Sequence, residues 1–149
     1  VRDWSSDVCS SDLKSNLWLA NLAVPGMAER GGGTVTIISS IGGIRGSAIL
    51  GAYGISKAAD FARGRALEVE CGPKSVRVTC IAPGCVKTDC AKALWEDEAN
   101  LKRRLVTTPL RRIGEPEDIG GIAAFLAAPA GAFITGQVIV ADGGVTIGS

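Results

Sequence analysis

The chain has 149 residues, with 16 Lys and Arg against 15 Asp and Glu, for a formal net charge of +1. One ordinary domain fits that length, and 46% apolar with 21% charged residues is the balance of a folded globular chain. The near-neutral total leaves no basic footprint for nucleic acid, and no apolar run approaches the ~18 residues of a membrane span. Histidine is absent. That removes Ser-His-Asp and Cys-His nucleophilic sites, His-based zinc sites and the commonest general base. Chemistry here must run on Tyr, Lys, Ser, Cys or carboxylates.

The cysteines are Cys9, Cys71, Cys80, Cys85 and Cys90. Their number is odd, no pair has C-x-x-C spacing and no secretory signal precedes them, so a reduced, cytoplasmic setting is expected. Cys80, Cys85 and Cys90 lack paired-ligand spacing, and no metal site is expected. Residues 1–13 begin without Met and nearly repeat themselves, Ser5-Ser6-Asp7-Val8 against Ser10-Ser11-Asp12-Leu13. The segment has no clear periodicity, resembles a translated sequencing adapter and is expected to be a non-native leader. Residues 14–149 then carry the fold.

From Leu13 to Arg30, apolar positions at Leu17, Leu19, Ala20, Ala23, Val24 and Met27 predict a helix despite Pro25, ended by Gly31-Gly32-Gly33. Thr34–Ser39 is β-branched and almost continuously apolar, the pattern of a buried parallel strand. A glycine-rich loop runs to Gly51, and Ala52–Cys71 reads as a long helix closed by Gly72-Pro73. Ser75–Ile81 predicts a second strand, ended by Ala82-Pro83-Gly84. A helix is expected over Ala91–Leu105, its Glu96-Asp97-Glu98 and Lys102-Arg103-Arg104 clusters spaced for intrahelical pairs on a solvated face. Another is expected over Pro116–Ala128, capped by Glu115 with Glu117 and Asp118 in its first turn. Gln137–Ala141 is the third strand. Alternating helices and buried strands imply an α/β fold with parallel strands. Three strands are few for such a sheet, so either the module is unusually small or its front is missing.

Tyr53, the only tyrosine, precedes Lys57 by four residues on a predicted helix, which places both on one face. A tyrosine has an unperturbed pKa of about 10. A nearby ammonium favours the phenolate and brings proton exchange with a carbonyl or hydroxyl towards neutral pH. Ser39 and Ser40 stand at the C-terminal end of the first strand, where open α/β sheets bind ligands. A serine there can hydrogen-bond a substrate oxygen; without histidine it is not expected to be a nucleophile. The second strand ends at the same edge in Pro83 and Gly84, followed by Val86 and Thr88, and a glycine there admits a flat ligand close to the backbone.

In chain order, these stretches are Thr34-Val-Thr-Ile-Ile-Ser-Ser40, Tyr53-Gly-Ile-Ser-Lys57-Ala-Ala and Val76-Arg-Val-Thr-Cys-Ile-Ala-Pro-Gly84. Arg112-Ile-Gly-Glu-Pro116-Glu-Asp-Ile and Thr135-Gly-Gln-Val-Ile-Val-Ala-Asp142-Gly-Gly144 follow. From Leu13 onwards the chain resembles the C-terminal part of short-chain dehydrogenase/reductases. The resemblance implies a Rossmann-like parallel sheet flanked by helices, truncated at its front, and an exchange between a carbonyl and a secondary alcohol that uses NAD or NADP. It assigns Ser40, Tyr53 and Lys57 as catalytic, Tyr53 as the acid/base and Lys57 as the group holding the nicotinamide ribose and lowering the Tyr53 pKa. Tyr53, Lys57, Pro83, Gly84, Val86 and Thr88 would be cofactor-binding, with residues 89–110 forming the substrate loop. Partners would be a small carbonyl or alcohol and, at full length, further copies of the chain packed through Ala58, Ala59, Ala62 and Ala66. Two departures stand out. No G-x-x-x-G-x-G precedes Ser39, and the family's active-site asparagine would fall at or near Asp12. The rival expectation is a non-catalytic fragment or assembly module that binds no dinucleotide. A sugar-nucleotide epimerase fits less well, because the chain ends soon after Gly144.

Overall fold

The computed structural model describes residues 6–47 and 51–148, with side chains from residue 11 onward. Residues 1–5 of the expected leader and residues 48–50 of the glycine-rich loop therefore lie outside the described residues. Helix α1 spans Ser6–Glu29, strand β1 Gly33–Ile38 and helix α2 Gly51–Cys71. Strand β2 spans Val76–Pro83, followed by helices α3 (Lys92–Trp95), α4 (Glu98–Thr107) and α5 (Pro116–Ala127), and by strand β3 (Val138–Ala141). The three strands form one parallel sheet in the order β1-β2-β3. Its register pairs Ile37 with Cys80, Ile38 with Ile81, and Pro83 with Ala141.

The alternation of a strand fixes which residues meet which helix. Val76, Val78, Cys80 and Ala82 of β2 are all at most 2% exposed and point to one face. There Phe61 of α2 packs with Ile37, Val78, Cys80 and Ala82. Ala20 and Val24 of α1 meet Val76 and Cys71 beside it. Helix α5 covers the opposite face through buried Leu126. The Arg77 guanidinium extends this second layer, donating to the carbonyls of Gly131 at 2.8 Å and Ile134 at 3.3 Å. Both faces of the middle strand are thus covered, the condition under which a parallel strand can be apolar throughout. Cys71 and Cys80 serve as small packing residues within this core, and burial pushes the Cys80 thiol up to about 11.

Several element boundaries differ from the sequence expectation. Helix α1 begins at Ser6 rather than Leu13, and its early turns are tied to α2: the Arg63 guanidinium donates to the carbonyls of Asn16 at 2.6 Å and Leu13 at 3.5 Å. Tertiary bonds hold a turn that has no apolar period of its own. Strand β2 begins at Val76 because Ser75 is left-handed, with φ of 59°. The expected Ala91–Leu105 helix is two helices. The Asp97 carboxylate caps α4 by accepting the Asn100 amide at 2.7 Å, and an N-cap has non-helical backbone. Among the described residues no ion pair joins the acidic cluster at 96–98 to the basic cluster at 102–104. Among them, too, no helix is long and apolar enough to cross a membrane.

Helix α5 starts where expected. Glu115 is the N-cap, Pro116 stands at the first helical position, and the Asp118 carboxylate accepts the Glu115 amide at 2.8 Å. Arg112 donates to both oxygens of the same carboxylate, at 2.6 and 2.8 Å. These bonds, that of Arg112 first, hold the Asp118 carboxyl well below the usual carboxylate range. A depressed carboxyl stabilises the fold above its unfolded value of about 3.9 and loses that contribution as pH falls through its folded value. Asp118→Asn is therefore expected to lower the urea midpoint at pH 7, and the gap to the parent should shrink below about pH 4. Urea titrations at several pH values check this; a gap that widens towards acid would contradict it.

Candidate active site

Strand β1 and strand β2 end side by side: the Ser39 amide donates to the Ile81 carbonyl at 2.8 Å, and Pro83 closes β2 at the same edge. The two adjacent serines divide their tasks. Buried Ser39 donates through its hydroxyl to the Lys57 carbonyl at 2.9 Å, fixing the backbone of α2 against the strand end. Ser40 turns the other way. Its Oγ accepts the Gly42 amide at 3.0 Å and caps a single 3-10 turn over Ile41–Gly43.

That turn lies against the first turns of α2. A Cβ placed on Gly42 would stand 3.0 Å from Cε1 of Tyr53 and 3.4 Å from Ser40 Oγ, so the Tyr53 ring and the Ser40 hydroxyl flank the same glycine. A Cβ on Gly43 would come within 2.7 Å of the Ala58 nitrogen, the Lys57 carbonyl carbon and Phe61 Cε2. Only glycine lets the turn sit this close to the helix. The Lys57 ammonium lies 5.5 Å from the centroid of the Tyr53 ring, the one-face arrangement expected of i,i+4 spacing. The structure therefore brings Ser40, Tyr53 and Lys57 to one edge of the sheet.

Lys57 is held from two sides. Asp12 Oδ2 is 3.0 Å from its Nζ and Asp60 Oδ2 is 3.8 Å away. The Ser56 hydroxyl donates to the Tyr53 carbonyl at 2.9 Å, and Asp12 Oδ2 lies 3.5 Å from Ser56 Oγ. Asp60 is fully buried, and its Oδ1 accepts Nδ2 of Asn16 at 3.1 Å. Burial pushes the Asp60 carboxyl up, against the Asn16 hydrogen bond and the charges of Lys57 and Arg63. Sequence reasoning missed Asp60. An acid three residues after Lys57 was a visible signal, but its partner lies 44 positions away on α1.

The remaining candidates spread outward from this edge. Pro83 and Gly84 end β2 where expected, but the close approach at Gly84 is to the protein itself. A Cβ there would stand 2.8 Å from the Asp142 Cα, and the Gly84 amide donates to the Ala141 carbonyl at 3.0 Å. Val86 forms a parallel bridge with Gly114, and exposed Thr88 accepts Nε1 of Trp95 on its carbonyl at 3.2 Å. A cleft of about 710 Å³ opens elsewhere, between α5 and the end of β3, lined by Ile119, Ile122, Val140 and Asp142 among others. Ser40, Tyr53 and Lys57 do not line it. The convergence of reactive groups, not that cavity, marks the site.

A parallel sheet covered on both faces, with a hydroxyl, a phenol and an ammonium at the carboxyl ends of its strands, defines an α/β protein of the Rossmann-like class. A family model described as "Enoyl-(Acyl carrier protein) reductase" matches residues 1–146. Dehydrogenase/reductase SDR family member 4 of Sus scrofa is 38% identical over 133 residues, which cover 89% of this chain and 48% of that protein. A short-chain type dehydrogenase/reductase from Mycobacterium ulcerans superposes with a TM-score of 0.91 at 34% identity, over 97% of this chain and 52% of the other. A 7 alpha-hydroxysteroid dehydrogenase, solved with NADH and 7-oxo glycochenodeoxycholic acid, gives 0.85 at 34% identity, over 89% of this chain and 52% of its own. The chain belongs to the short-chain dehydrogenase/reductase family. It spans about half the length of the curated relatives it matches.

Proposed function

We propose that the protein to which this chain belongs is an NAD- or NADP-dependent oxidoreductase that interconverts a carbonyl and a secondary alcohol, with Tyr53 as acid/base. The observation that carries this reading is the arrangement of Ser40, Tyr53 and Lys57 around the Gly42 turn at the carboxyl ends of β1 and β2. The donor set suits a nicotinamide riboside: the Lys57 ammonium and Tyr53 hydroxyl match a ribose diol, with Pro83, Gly84, Val86 and Thr88 available to the ring. When bound, the nicotinamide supplies or accepts the hydride.

The chain's own residues handle the proton and the orientation. Ser40 Oγ already accepts from the Gly42 amide, which leaves its hydrogen to donate to the substrate oxygen. Tyr53 gives its phenolic proton to that oxygen as an alcohol forms, or takes the hydroxyl proton in the reverse direction. Lys57 holds its ammonium 5.5 Å from the centroid of the Tyr53 ring. The substrate is a small carbonyl or alcohol compound.

Residues 1–13 are read as a foreign leader on the C-terminal part, 14–149, of one Rossmann-like domain. Sequencing the source DNA across codons 12–14 tests that reading. Self-association through α2 is supported by its exposed Ala58, Ala62 and Ala66, and by Trp18, Leu19 and Leu22, which stand 63 to 80% exposed on α1. The activity is tested on the product of the complete native reading frame, by carbonyl-dependent oxidation of NADH or NADPH and its dependence on Tyr53. Turnover that survives loss of Tyr53 overturns the proposal.

A further inference from the structure

Helix α1 meets α2 across a polar seam that ordinary helix packing does not require. Asp60 lies in it with no exposure, one turn beyond Lys57 on α2. Taking a carboxylate out of water is unfavourable unless partners compensate, and an apolar side chain would fill this interior without that penalty. The partners are distributed unevenly between its two oxygens. Oδ1 accepts from Asn16 Nδ2 at 3.1 Å, whereas Oδ2 has no hydrogen-bond partner and stands 3.8 Å from Lys57 Nζ. Asn16 is itself held, since its carbonyl accepts the Arg63 guanidinium at 2.6 Å.

We propose that Asp60 is a positioning residue for Lys57: Asn16 orients its carboxylate through one oxygen, and the other secures the ammonium in its charged form beside Tyr53. The role rests on the catalytic reading of Tyr53 and Lys57 given above. Lys57 thereby has an inner and an outer carboxylate. Asp12, the outer one, is closer, but its side chain is 33% exposed and its pull is weakened by water and salt. Asp60 acts through the dry interior, where a charge is felt more strongly. The groups that face Asp60 are Asn16 and Asp12 from α1, Lys57 and Arg63 from α2, and Cys80 of β2, whose Sγ donates to the Asp60 carbonyl at 3.5 Å.

The test follows the titration of Lys57 in this chain by NMR of 13C,15N-labelled lysine side chains, with the Lys57 signal assigned from its disappearance in Lys57→Arg. In Asp60→Asn, which keeps the shape and an acceptor for Asn16, the pH at which Lys57 loses its proton should fall by about one unit, tenfold in proton affinity. Asp12→Asn should lower it less. An unchanged Lys57 midpoint in folded Asp60→Asn, or a larger fall in Asp12→Asn, overturns the proposal. Asn16→Ala keeps the test decisive where Asp60→Asn does not fold: a smaller fall in the same direction is expected, and no change refutes the role. None of these readouts depends on turnover. Activity that survives Tyr53→Phe would remove the catalytic reading while leaving the Asp60–Lys57 coupling intact.

Discussion

Replacing Tyr53 by phenylalanine is expected to reduce carbonyl turnover by about 10²–10⁴-fold, the usual contribution of a positioned acid/base. The substitution removes one oxygen and preserves the ring, so the contact with Gly42 and the stacking under the Lys57 ammonium remain. Substrate affinity should change far less than the turnover number. Within this chain Tyr53 is the only tyrosine, so in the 149-residue chain disappearance of the phenolate absorbance at alkaline pH verifies the substitution. Steady-state kinetics on the product of the complete reading frame read the result. Turnover within a few-fold of the parent would assign the proton transfer to another group.

The second large effect is structural. Phe61→Ala should destabilise the fold by about 3–5 kcal/mol, the range for deleting a buried aromatic ring. Phe61 is 7% exposed and packs against Ile37, Val78, Cys80 and Ala82, the residues through which β1 and β2 meet α2. A total stability of about 5–15 kcal/mol makes that loss a large fraction of what holds the chain together. Urea unfolding at pH 7 measures it. The ring also backs the turn that presents Ser40, because a Cβ on Gly43 would touch Phe61 Cε2 at 2.7 Å. Phe61→Leu, which refills much of the space, should recover most of the stability. A Phe61→Ala midpoint close to the parent would show that the α2–sheet contact is redundant.

The two predictions differ in how far the sequence alone supports them. Tyr53 and Lys57 could be paired by counting, because a helix fixes what lies one turn away. The strands were legible for a similar reason: a parallel strand buried on both faces is written as an apolar, β-branched run, as in Val76-Arg-Val-Thr-Cys-Ile. Even the cap at Glu115 and Pro116 followed from local chemistry. Local pattern failed where two rules competed. The 91–105 segment has helical composition throughout, but Asp97 is a better cap than a helix-interior residue, and the helix restarts behind it.

The site shows the same division. By itself the sequence placed Tyr53 and Lys57 on one helix face and ended the neighbouring strand at Ser39 and Ser40. Only the family resemblance singled out Ser40 from its neighbour. Tertiary structure ties the Ser39 hydroxyl to the Lys57 carbonyl and places Ser40 on the Gly42 turn. It likewise gave Gly84 an intramolecular reason, its contact with Asp142 across β2 and β3. It alone joined Asn16 to Asp60 and Asp12 to Lys57 across the α1–α2 seam. Helical periodicity relates residues three or four apart, and strand alternation relates residues two apart. Contacts between residues more than forty positions apart depend on how whole elements dock, and that information belongs to the packed core rather than to any stretch of chain.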